Sequence, residues 1–178
     1  HQPMWDNSRR WCIVFNGEIF NFRELRQQLR AEGLTFHTES DTEVLLQSYI
    51  RYGTACLNQL NGFFSFCIYD TQEQSLFLAR DRFGIKPLLY LLDQDKFLFS
   101  SEMKSLLAYG IVKDIDYNSL LAYLQLNYIP APHTIFPGVK KLMPGHWLKI
   151  KNQSIETGRY YSIPHPSVED SPPSLSYP

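Results

Sequence analysis

Ile13-Val-Phe-Asn-Gly-Glu-Ile-Phe-Asn21 is the stretch on which the reading of this chain turns. An apolar run of strand type leads into Asn16-Gly17-Glu18. An amide side chain, a residue without Cβ and a carboxylate therefore stand together where a strand ends. Two readings compete for this corner. Asn-Gly is a strong hairpin signal, because both residue types tolerate positive φ. The same pair can instead hold an oxyanion. The Asn16 amide supplies one donor and the Gly17 N–H a second, and glycine lets a ligand approach the backbone closely. Glu18 adds a carboxylate suited to a substrate ammonium. Asp41 is ambiguous in a similar way: it can bind a ligand ammonium or complement the positive end of a helix.

Around this corner the chain alternates between helical and strand patterns. Residues 11–15 read as a buried strand. Residues 22–32 read as an amphipathic helix with Leu25 and Leu29 on one face and Gly33 as its stop. Ser40-Asp-Thr-Glu43 has the form of a capping box, Ser at N-cap and Glu at N3. It opens a helix carrying Val44, Leu45, Tyr49 and Ile50 that closes near Gly53. Residues 63–69 and 76–79 form a hairpin around residues 70–74, and residues 88–92 and 97–100 another around residues 93–95. Residues 102–109 and 118–126 are helical in pattern. Two late strands, 146–150 and 155–161, flank Lys151-Asn-Gln. No internal repeat is present. The last fifteen residues hold five of the eleven prolines and read as a linker or tail.

At 178 residues the chain is long enough for one domain with a real core. Its aromatic share of 15% favours a sheet-rich interior. A net charge of −1 gives no reason to expect nucleic acid or a membrane surface as partner. No apolar run approaches the roughly 20 residues that span a bilayer. Cys12, Cys56 and Cys67 are odd in number and widely spaced, which argues against a disulfide framework. No Cys/His spacing suggests zinc. The expectation is free thiols in a reducing, cytoplasmic setting.

Several collinear motifs carry a family resemblance. In order they are His1-Gln-Pro-Met, residues 15–21 with Glu24-Leu-Arg26, Ser40-Asp-Thr-Glu-Val-Leu-Leu46, Tyr52-Gly53 and Cys56-Leu57. Leu60-Asn-Gly-Phe-Phe64, Ala79-Arg-Asp-Arg-Phe-Gly-Ile-Lys-Pro-Leu88, Phe99-Ser-Ser-Glu102 with Lys104, Tyr128-Ile-Pro-Ala-Pro132 and Pro144-Gly-His146 follow. Together they resemble the class II, N-terminal nucleophile type of glutamine amidotransferase domain, and within it the glutamine-hydrolysing asparagine synthetases. The resemblance covers residues 1–161, leaving 162–178 as a tail or linker towards a synthetase domain.

The resemblance implies an α+β fold, a four-layer αββα sandwich of the N-terminal nucleophile hydrolase type, incomplete at its N-terminus. It implies that Asn16 and Gly17 form an oxyanion hole and that Glu18 and Asp41 help bind the α-amino group of L-glutamine. The residues of the 80–87 run are expected to be mainly architectural. The family nucleophile is a cysteine at the mature N-terminus whose own α-amine acts as base. Here residue 1 is His, and neither that cysteine nor the family arginine for the substrate carboxylate is in the chain. The chain alone is therefore expected to be inactive. No pyrophosphate loop or Walker-type loop is present, so no cofactor is expected in this chain; ATP and magnesium belong to the parent's synthetase domain. The expected partners are glutamine and that domain, and the resemblance leaves room for a homodimer of the parent. Two alternatives stay open: an amidotransferase of the same class serving another acceptor, and a catalytically silent binding domain of the same fold.

Overall fold

The computed structural model describes residues 2–93, 96–152 and 154–164. His1, the turn residues at 94–95, Gln153 and the tail from residue 165 lie outside the described residues. In chain order the elements are β1 (Met4–Trp5), β2 (Trp11–Ile19), α1 (Phe22–Ala31), α2 (Asp41–Tyr52), a 3₁₀ turn (Gly53–Asn58), β3 (Gly62–Asp70) and β4 (Ser75–Arg80). Next come β5 (Leu89–Asp93), β6 (Lys96–Ser100), α3 (Met103–Tyr109), α4 (Tyr117–Leu126), β7 (Val139–Lys141), β8 (His146–Lys151) and β9 (Ser154–Arg159).

Two antiparallel sheets result. One has strand order β1-β2-β3-β4-β8-β9 and the other β6-β5-β7. Side chains alternate across each strand, and the buried residues accordingly fall into three separate cores. Ile13, Phe15, Phe66 and Phe77 meet Leu25, Leu29, Val44 and Leu45, closing α1 and α2 onto the six-stranded sheet. Cys67, Leu78 and Leu148 meet Leu88 and Leu142 between the two sheets. Leu89, Leu91 and Val139 meet Leu106 and Ile111 on the far side of the small sheet. Three cores between helices, sheet, sheet and helices make the four-layer αββα sandwich. Phe77 anchors the first core, stacked on Tyr49 at 4.6 Å between centroids and tilted against Trp147 at 5.8 Å.

The strand before the corner differs from the sequence expectation. β2 does not stop at Phe15; it runs to Ile19, paired with β3 throughout, Asn16 opposite Ser65 and Gly17 opposite Phe64. Asn16-Gly17 is thus mid-strand and not a hairpin turn. Glycine is required at 17 by close approach: a Cβ there would lie 2.2 Å from the Phe63 carbonyl oxygen and 2.7 Å from the Phe64 Cα. The Ser40 cap is present, its hydroxyl accepting from the Glu43 N–H at 3.3 Å. The reciprocal half of the box is not. The Glu43 carboxylate instead accepts from the backbone N–H groups of His37 and Thr38 and from the Thr38 hydroxyl, tying the preceding loop to α2.

Asp70, buried at the end of β3, accepts two parallel bonds from the Arg10 guanidinium at 2.9 and 2.7 Å and others from the N–H groups of Gln72 and Glu73. The Arg10 bonds, aided by those N–H groups and opposed by burial, hold its carboxyl below the ordinary range. A depressed folded pKa contributes stability that is complete above the unfolded value near 4 and lost as pH falls through the folded one. Asp70→Asn is therefore expected to lower stability at pH 7 and to flatten the loss of stability below about pH 4. Denaturant midpoints across that range check this; an unchanged acid limb in the variant contradicts it.

Candidate active site

The end of β2 gathers the four residues singled out by sequence. Alternation turns the N–H groups of Phe15, Gly17 and Ile19 to the edge of β2 away from β3. The donors can be followed one by one. Phe15 exchanges two 2.7 Å bonds with the Gln2 side-chain amide, which extends the line of β1 like one more strand residue. The Ile19 N–H donates to Asp41 Oδ2 at 3.1 Å. Opposite Gly17, the backbone N–H and C=O of Phe64 both turn the other way, to Asp81. The Gly17 N–H lies between Gln2 and Asp41 on that edge and has no backbone partner among the described residues.

Asn16 stands beside it on the face turned towards the small sheet. Its Nδ2 donates to Ser101 Oγ at 3.1 Å, across the gap between the sheets. The carboxamide carries two N–H donors, so one remains for a ligand. A cavity of about 190 Å³ opens here, lined by Asn16, Gln2, Ser65, Cys67, Phe99 and Ser101 among others. Glu18, two residues on and on the same face as Asn16, is exposed and makes no side-chain hydrogen bond among the described residues. Asp41 opens α2, so it complements the helix N-terminus and also fastens the end of β2. Asp41 thus lies against the end of the strand that carries Glu18. Two carboxylates, and two N–H donors without a partner among the described residues, gather here, a pattern suited to hold an ammonium and an oxyanion side by side.

Packing from α1 fixes this arrangement. The Arg26 guanidinium is buried against the rings of Phe22 and Phe36, pairs with Glu39, and donates to the Ser40 carbonyl at 3.1 Å. It thereby pins the residues that lead into Asp41. Behind Gly17, the buried Asp81 carboxylate accepts from the N–H groups of Phe64, Phe83, Ile85 and Lys86. The neighbouring Arg80 donates to three carbonyls, those of Gly84, Lys86 and Leu142, each at 2.7 Å. Arg80 and Asp81 thus hold the segment that follows them through backbone hydrogen bonds, and neither forms an ion pair among the described residues.

None of the three thiols is set up as a nucleophile. Burial pushes the Cys12 thiol up, the Cys56 thiol up to about 12, and the Cys67 thiol higher still. Cys67 borders the cavity, yet a buried, protonated thiol is a poor nucleophile. Sequence reasoning missed Ser101 and Gln2 as neighbours of Asn16 and Gly17. Both lie within stretches that carried the resemblance, so the residues were in view while their contacts were not. Among the described residues no cluster of His, Cys, Asp and Glu is placed to hold a metal ion, and no helix is long and apolar enough to cross a membrane.

The chain is similar to known proteins over most of its length. A family model described as glutamine amidotransferase domain matches residues 1–161. Asparagine synthetase [glutamine-hydrolyzing] 3 of Bacillus subtilis is 39% identical over 163 residues, covering 90% of this chain and 26% of that protein. Asparagine synthetase [glutamine-hydrolyzing] 1 of the same organism is 41% identical over 160 residues, covering 90% of this chain and 25% of that protein. The chain thus spans about a quarter of the length of these curated relatives. Among solved structures, an allosteric regulatory enzyme of purine biosynthesis superposes with a TM-score of 0.66 over 90% of this chain and 31% of that chain. At 24% identity that likeness speaks for the fold alone.

Proposed function

We propose that this chain, which belongs to the glutamine amidotransferase domain family, is the glutaminase half of a glutamine-dependent asparagine synthetase. The observation that carries the reading is the pair of donors near one strand end, the second Asn16 N–H and the Gly17 N–H, both without a partner among the described residues and flanked by Glu18 and Asp41. In this reading L-glutamine binds with its α-ammonium towards Glu18 and Asp41 and its side-chain carbonyl towards Asn16 and Gly17. A thiolate attacks the amide carbon, and the carbonyl oxygen takes up the negative charge between those two donors. The C–N bond then breaks, ammonia leaves with a proton returned by the base, and a thioester remains. Water attacks the thioester through a second oxyanion held by the same donors, releasing glutamate and regenerating the thiol. Ammonia passes to an ATP- and magnesium-dependent module that activates aspartate in the parent protein.

In this reading none of the three cysteines of the chain supplies the thiolate. All three cysteines have thiols held up by burial, and in the family the nucleophile is the N-terminal residue. The purified chain is therefore expected to bind no productive glutamine and to release no ammonia above a blank. A coupled ammonia assay decides this. Turnover that disappears in Cys12→Ala or Cys67→Ala contradicts the reading, since it places the nucleophile within the chain.

A further inference from the structure

Helix α4 is out of keeping with its surroundings. From Tyr117 to Val139 the sequence holds no Asp, Glu, Lys or Arg. A helix apolar nearly all round ordinarily lies buried. Yet α4 supplies no residue to any of the three cores. Tyr117 (79% exposed), Leu121 (55%), Leu124 (69%) and Tyr128 (60%) follow one another at the spacing of a single helical face, continued one residue past the cap.

The helix is nonetheless firmly set. The Asp116 carboxylate caps it, accepting from the N–H groups of Asn118 and Ser119, and the Asp116 N–H donates to the Ile135 carbonyl. Asn127 closes it in the left-handed conformation. The buried Thr134 hydroxyl and the Lys141 ammonium, which donates to the Ile129 carbonyl, brace the loop that follows. A helix fixed at both ends with its apolar face outward is preorganised for a partner.

We infer that this face seats the acceptor-activating module that follows the glutaminase domain in the parent chain. The inference rests on the function proposed above. Two observations choose this occupant. The chain spans about a quarter of its curated relatives, so in them some three times as much chain accompanies this domain. The chain also leaves the domain close by: Ile163 lines a cleft with Met143, two residues from the Lys141 that holds the end of the α4 loop. The absence of charge requires the facing surface of that module to be apolar as well, since an unpaired charge buried there is costly.

Hydroxyl-radical footprinting of the 178-residue chain and of the complete parent chain tests this with no substitution. Labelling of Tyr117 and Tyr128 is expected to fall about threefold or more in the parent, as burial in an interface core demands. Equal labelling in the two overturns the inference. Protection already present in the short chain and rising with its concentration also overturns it, because the occupant is then a second copy. A parent reading frame that ends at residue 178 overturns it outright. In the parent, Leu124→Glu is expected to restore the labelling of the short chain; unchanged protection in this variant counts against the inference. Glutamine-dependent ammonia release, measured on the same preparations, separates the two claims. Release with an unprotected helix sinks the docking surface alone, whereas protection without release supports the surface and sinks the proposed activity.

Discussion

Replacing Asn16 by alanine in the parent enzyme lowers glutamine-dependent kcat about 10²–10³-fold, equivalent to roughly 2.7–4 kcal/mol of transition-state stabilisation. The residue donates one N–H to Ser101, and the proposed reaction assigns the other to the tetrahedral oxygen. Ground-state glutamine should bind nearly as well, because the donor acts on charge that develops later. Synthesis from free ammonia should survive, since that route bypasses the glutaminase site. Asp41→Asn should differ: it weakens the hold on the substrate ammonium, so KM rises more than kcat falls. Because Asp41 also receives the Ile19 N–H, the asparagine variant is the right probe, as its amide oxygen can still accept that bond. Steady-state kinetics with both nitrogen donors check the pair. Near wild-type glutamine turnover in Asn16→Ala reduces the residue to a place in the strand; equal loss with ammonia assigns it to the fold.

The second large effect is on stability. Asp81→Ala removes the acceptor of four backbone N–H groups, those of Phe64, Phe83, Ile85 and Lys86. Phe64 is buried whereas Phe83 and Ile85 are exposed, and a buried donor left without a partner costs about 1–3 kcal/mol, so a loss of about 1–3 kcal/mol is expected. Asp81→Asn retains one carbonyl oxygen and should cost roughly half as much. The damage should reach the site, because Phe64 lies directly opposite Gly17. Urea unfolding of the three proteins, with amide exchange at Phe64 and Gly17, measures both effects. An alanine variant within about 1 kcal/mol of wild type would mean that these bonds contribute little.

What was legible in the sequence was what short stretches encode by themselves. The Ser40 cap, the helix after it and the β3–β4 hairpin each announce themselves within about twenty consecutive residues. β1 and β7 did not, being two and three residues long and existing only as pairings with β2 and β5. The length of β2 was misjudged for a related reason. Asn-Gly-Glu has poor strand propensity on its own, and continuous pairing with the nine residues of β3 overrides it. Glu43 fits a capping box by spacing, but the loop at His37 and Thr38 competes for its carboxylate and wins.

The candidate site divides along the same line. Asn16, Gly17, Glu18 and Asp41 were recognisable by type and position, and the fold brings them to one strand end. Their sharpest property was out of reach of sequence. The freedom of the Gly17 N–H follows from where Gln2, Asp41 and Asp81 direct their hydrogen bonds, and those residues lie up to 64 positions away. Ser101 reaches Asn16 across 85 residues. No local pattern encodes such a contact.

The most direct test of the account is to trap the nucleophile. The complete parent chain is treated with a glutamine analogue carrying an electrophilic carbon in place of the amide, and peptide mass mapping locates the adduct. The account predicts a single adduct per chain, on a cysteine at the mature N-terminus upstream of His1, forming more slowly in Asn16→Ala. An adduct on Cys12, Cys56 or Cys67, in a chain that hydrolyses glutamine, contradicts it.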